Sequence, residues 1–152
     1  METIRWPPRN IYHDDAVNFP YLSDSDRYVS LKARATDANN WGADCFISIH
    51  HNSGSASVNG TETYSYSNSG DDANLRNKVQ SQLIKWGRLT DRGGKTNPNL
   101  VVLKRTKMPA ILTEASFISN QAEEARLRDN GYTWREGYHI YKGICDHYNT
   151  HY

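Results

Sequence analysis

Apolar positions along this chain fall into short runs whose spacing switches between two periods. Leu31, Ala35 and Ala38 recur at steps of four and three, and Asn39-Asn40-Trp41-Gly42 closes the run. That spacing predicts a helix from about Val29, with an Asn or Gly stop. Residues 44–50 (Asp-Cys-Phe-Ile-Ser-Ile-His) are β-branched and aromatic and predict a buried strand. Residues 53–60 are a loop by composition. Residues 61–66 alternate with period two, the mark of a half-exposed strand. Leu75, Val79, Leu83 and Trp86 recur at four, four and three and predict a helix over 71–88 with one apolar stripe.

Residues 91–99, rich in Gly, Asn and Pro, read as a long turn. Leu100–Leu103 and residues 110–114 read as short buried strands. Asn120 with Glu123 is a capping signature that opens a helix to about Asn130-Gly131, and Thr133 with Glu136 repeats it. Trp134, Tyr138, Tyr141, Ile144 and Tyr148 then line one face of a last helix over 133–149. Residues 1–27 are an irregular lead-in with Pro7, Pro8, Pro20 and the polar cluster His13-Asp14-Asp15. Interleaved helices and strands predict an α/β fold: one domain over residues 28–152, with a mostly parallel sheet flanked by helices on both faces.

Composition narrows the class. Leu, Ile, Val and Phe make up under a fifth of the 152 residues, but ten Tyr and four Trp supply bulky apolar area. The net charge of +1 gives no electrostatic reason to expect nucleic acid or an anionic membrane as partner. No apolar run approaches the ~18 residues of a membrane span, and Met1–Pro8 holds no signal-like stretch. Cys45 and Cys145 are too far apart in sequence to suggest a thiolate zinc knuckle, and two cysteines do not make a disulfide scaffold. No Gly-x-Ser-x-Gly elbow, P-loop or dinucleotide fingerprint occurs.

Two strand ends carry chemistry. Residues 46–52 deliver His50, His51 and Asn52 to the end of a buried strand, and residues 109–117 deliver Glu114. Ligands of open α/β sheets settle beyond such carboxyl ends. An imidazole suits zinc, and a carboxylate beside it suits metal-assisted hydrolysis. The same residues also read as a satisfied boundary histidine and as a cap or ion-pair glutamate. Consecutive strand residues face opposite ways, so one histidine at most shares a groove with Glu114.

The ordered blocks 47–53, 60–66, 91–95, 103–106 and 109–120, with the helix segment 28–39 upstream, resemble the zinc-dependent N-acetylmuramoyl-L-alanine amidases of type 3, found among cell-wall hydrolases and phage endolysins. The resemblance implies a peptidoglycan hydrolase that cuts the amide between N-acetylmuramic acid and the L-alanine of the stem peptide. It implies one zinc ion, His50 as a ligand with His51 turned away, and Glu114 as the catalytic glutamate that takes a proton from zinc-activated water and passes it to the leaving amine. It also implies Asn52 and Arg105 as substrate contacts, a monomer, peptidoglycan as the partner, no nucleic acid or membrane partner, and action at the cell wall, outside the membrane or as an endolysin. The family's first histidine ligand, on a Gly-His-Gly-Gly-like turn, and its helical glutamate ligand have no match before residue 28. The expectation is a domain lacking its N-terminal part; the alternatives are His13, Asp14 and Asp15 as local donors, or a divergent member. The rival function is a non-catalytic peptidoglycan-binding remnant using Tyr64, Tyr66 and Arg105.

Overall fold

The structure, a computed structural model, describes residues 30–149. The lead-in over 1–27 and the His13-Asp14-Asp15 cluster lie outside the described residues. The elements run α1 (Leu31–Trp41), β1 (Phe46–Asn52), β2 (Thr61–Ser65), α2 (Gly70–Gly87), β3 (Asp91–Thr96), α3 (Val101–Arg105), β4 (Ala110–Phe117), α4 (Gln121–Leu127) and α5 (Asn130–Tyr148). The four strands form one sheet in the order β1-β4-β2-β3. β1 is parallel to β4 and β2 to β3, while β2 and β4 run antiparallel, so the sheet is mostly parallel as expected.

Alternation along β4 divides the core. Ile111 and Ala115 face α2 and α5, where Leu75, Val79, Leu83 and Ile140 complete the larger apolar cluster. Ala110 and Leu112 face the other way, onto Val102 and Leu103 of α3, with Phe46 and Tyr64 alongside. α2 and α5 cross closely at Gly143, where an added Cβ would lie 2.5 Å from the Val79 Cα. Glycine at that position lets the two backbones meet.

Two sequence expectations are corrected here. Residues 91–96 are an edge strand, not part of a turn. Its sequence, Asp-Arg-Gly-Gly-Lys-Thr, has poor strand propensity, but α2 pins it: Gln80 Nε2 donates to Asp91 Oδ1 at 2.7 Å, and Arg76 Nη1 donates to the Lys95 carbonyl at 3.3 Å. A Cβ on Gly94 would sit 2.4 Å from Arg76 Nε, so glycine there makes room for that guanidinium. Tertiary contacts thus override local preference. Residues 101–105, expected as a strand, are a short helix. Adjacent Val102 and Leu103 are both buried on one surface, which a strand's alternation would forbid. A short apolar run does not by itself decide between the two states.

The capping expectations divide. Asn120 caps α4 by accepting from the Ala122 and Glu123 amides. Glu123 does not close a capping box. Its carboxylate takes the amides of Gly60 at 2.9 Å and Phe117 at 2.6 Å, tying the start of β2 to the end of β4. α4 ends at Leu127, and α5 begins at Asn130 with Asp129, not Thr133, as its cap. Glu136 is therefore free of any capping role and is buried at 3 % exposure.

Candidate active site

The register of three strands sets one row of polar side chains. His50 pairs with Glu114 across β1 and β4, and Glu114 pairs with Glu62 across β4 and β2. Register partners share a face, so His50, Glu114 and Glu62 stand side by side. Leu112 and Tyr64, paired across β4 and β2 one step back from the row, lie on the same face as an apolar floor. The row lies at the carboxyl end of the parallel pair β1 and β4, where open sheets place ligands.

Each member is held differently. Ser48, two residues before His50 and on its face, brings Oγ to 2.9 Å from His50 Nε2 and orients the ring. Glu114 Oε2 is buried with no hydrogen-bond partner among the described residues. Burial, followed by repulsion from Glu62, pushes the Glu114 carboxyl up to about 7. Glu62 is fully bonded. Its Oε1 accepts from Asn52 Nδ2 at 2.8 Å and Tyr64 Oη at 2.7 Å, and its Oε2 accepts from Arg92 Nε at 2.7 Å and from Lys95 Nζ. Burial alone would raise Glu62, but the bonds from Lys95, Tyr64 and Arg92 outweigh it and hold the carboxyl below its ordinary value.

The sequence matches the N-acetylmuramoyl-L-alanine amidase family over residues 9–146, nearly the whole chain. The chain belongs to this family. It is 41% identical over 109 residues to the sporulation-specific N-acetylmuramoyl-L-alanine amidase of Bacillus subtilis, covering 71% of this chain and 42% of that protein. The catalytic domain of CwlV, an N-acetylmuramoyl-L-alanine amidase from Bacillus (Paenibacillus) polymyxa, superposes with TM-score 0.76 at 36% identity, covering 83% of this chain and 69% of that one. The N-acetylmuramoyl-L-alanine amidase of Clostridium difficile 630 gives TM-score 0.76 at 34% identity, covering 82% of this chain and 68% of that one. The chain thus spans about two fifths of the length of the Bacillus subtilis relative.

In this amidase-family fold, His50, Glu114 and Asn52 come together on one face, Asn52 through its bond to Glu62. His51 lies on the opposite face, with Nδ1 3.1 Å from Ser116 Oγ and Nε2 3.8 Å from Glu136. Arg105 stands at the end of α3, where its carbonyl accepts from Asn39 Nδ2 of α1, and no described hydrogen bond or ion pair joins it to the row. Sequence reasoning missed the Arg92–Lys95 flank because it assigned those residues to a turn. The alternation of Glu62 with Tyr64 was the available signal that a carboxylate shares the tyrosine's face.

Zinc can be tested against these donors. His50 places an imidazole at a strand end, and Glu114 Oε2, without a hydrogen-bond partner among the described residues, lies on the adjacent strand, so both residue types fit the environment of such an ion. Among the described residues no three His, Cys, Asp or Glu side chains converge as a complete donor set.

Proposed function

We propose that this chain hydrolyses the amide joining N-acetylmuramic acid to the L-alanine of the peptidoglycan stem peptide, with Glu114 as the catalytic residue and His50 as a zinc ligand. The observation that carries this reading is the His50–Glu114 register pair, with a buried carboxylate oxygen that no described protein group occupies. Zinc, when bound, would acidify water and polarise the scissile carbonyl. Glu114, with its proton affinity raised to about 7, takes the proton of the attacking water at Oε2. It then gives that proton to the alanyl nitrogen as the carbon–nitrogen bond breaks. The products are a muramic carboxyl group and a free amino terminus, which balances the added water. Asn52, fixed by Glu62, borders the groove as a substrate contact, and Arg105 is a second proposed contact from the end of α3.

Residues 28–152 form the catalytic unit in this reading, and further zinc donors are required beyond those described. Peptidoglycan is the partner, a single copy suffices, and the cell wall is the place of action. No described helix is long and apolar enough to cross a membrane. The test measures new alanine amino termini released from purified sacculi, together with zinc content. Glu114→Gln lowers turnover about 10²–10⁴-fold with zinc retained. His50→Ala loses zinc. Undiminished turnover in the first variant, or full zinc in the second, overturns the assignment.

A further inference from the structure

The charge count on the flank of the row is unbalanced. One carboxylate, Glu62, is met by two cations, Arg92 and Lys95. The side chain of Glu62 is 3% exposed, whereas those of Arg92 and Lys95 are 34% and 36% exposed. One cation would neutralise Glu62, and neither cation bonds Glu114, the second carboxylate of the row, so the pair supplies more donors than Glu62 consumes. Arg92 spends Nε on Glu62, and its Nη atoms make no hydrogen bond to the described residues. Its guanidinium is braced 5.0 Å over the Phe117 ring, and Lys95 lies 5.9 Å over Tyr64. A planar fork held by an aromatic face and a buried anion is ordered before any ligand arrives, and its unspent donors match a carboxylate.

We propose that Arg92 and Lys95 form a specificity subsite that binds the carboxylate of the residue following L-alanine in the muramoyl-peptide substrate. The proposal rests on the amidase reading above and adds a substrate preference to it. β3 is two strands from β4, a separation of about 10 Å. A peptide extended at about 3.3–3.6 Å per residue, starting from a scissile amide at Glu114 and crossing toward β3, brings an acid group on its second residue within reach of the long Arg92 side chain. The unspent guanidinium donors of Arg92 favour a carboxylate over a glycan hydroxyl or a carboxamide.

The test is a titration of the protein with two ligands, N-acetylmuramoyl-L-alanyl-D-isoglutamate with its γ-carboxyl capped as an amide and its α-carboxylate free, and the same compound with the α-carboxylate also converted to a carboxamide. The acid form binds about tenfold more tightly at low ionic strength, and the preference shrinks as salt is added. This comparison uses the unsubstituted chain and needs no variant to fold. Arg92→Gln brings the acid form down to the affinity of the carboxamide and leaves the carboxamide unchanged, while Arg92→Lys keeps part of the preference. Equal binding of both ligands by the unsubstituted protein overturns the subsite and leaves the amidase reading standing. Binding of neither overturns both. Equal loss of both ligands in Arg92→Gln shows that Arg92 acts only by supporting Glu62, and also overturns the subsite.

Discussion

His50 and His51 are consecutive in one strand, and each faces a glutamate whose proton affinity is raised to about 7, yet the two pairs differ in kind. Glu136 rises because burial alone penalises its charge. It meets His51, itself pushed down first by burial and then by His50, on the face that carries the larger apolar cluster. Glu114 rises through burial and then through a neighbouring carboxylate placed beside it by register. Both glutamates keep one buried oxygen without a partner among the described residues. A raised pKa and an orphaned oxygen therefore do not separate a working acid from a buried one. The surroundings separate them: Glu114 shares its face with Glu62, Asn52, Arg92 and Lys95 at a strand end, and Glu136 is closed in at a helix–sheet contact.

The two faces of β4 also divide the stability. Ile111, fully buried, belongs to the larger cluster, and Leu112, 7% exposed, belongs to the smaller one beneath the candidate site. Ile111→Ala is expected to cost about 3–5 kcal/mol and Leu112→Ala about 2–3 kcal/mol. Urea unfolding at unchanged m-value measures both. Equal losses would show that the site face carries as much of the fold as the helix-covered face.

That division was partly legible before the structure. The helix stripe Leu75–Val79–Leu83 and the strands around Ile47 and Ile111 announce themselves by period, because a buried face must repeat with the geometry of its element. His50 and Glu114 were legible as strand-end residues, and strand alternation already separated His50 from His51. Their exact pairing was not, because register is a property of two strands and no single segment encodes it. β3 was illegible for a different reason. It is held by pairing with β2 and by Arg76 and Gln80 of the preceding helix, not by the pattern of its own residues, which look like a turn. Glu136 was misread because Thr133 and Glu136 fit a local capping pattern while the helix starts earlier, at Asp129.

Replacing Glu136 sharpens the contrast through pH. Its folded value of about 7 lies above the ordinary 4.5, so between those values the native state keeps a proton that the unfolded chain has lost. Stability therefore falls as pH rises from about 4.5 to about 7, by about 1–3 kcal/mol for this group. Glu114 acts in the same direction, while the lowered His51 acts oppositely, with stability gained as pH rises toward its ordinary 6.5. The difference between the unsubstituted protein and Glu136→Gln isolates the one contribution. Unfolding free energies across pH 4–8 should show a flatter curve for the variant, with its turnover unchanged. A curve parallel to the parent would mean that Glu136 is already ionised beside His51.

The smallest effect probes the second cause of the rise in Glu114. Glu62→Gln removes the carboxylate charge that faces Glu114 across β2 and β4, and it leaves Arg92 and Lys95 without their anion. Both changes favour an ionised Glu114, so its titration moves down. Burial, the larger cause, is untouched, which keeps Glu114 above the ordinary carboxylate range and limits the shift to on the order of one pH unit. Glu136, raised by burial alone, should not move. Carboxyl carbon titration by NMR follows both glutamates in one sample, so Glu136 serves as the internal control. If Glu114 stays at about 7 in the variant, the row of register partners does not tune its acidity, and its likeness to Glu136 is closer than their surroundings suggest. If both glutamates shift together, the substitution has loosened the sheet rather than removed a charge.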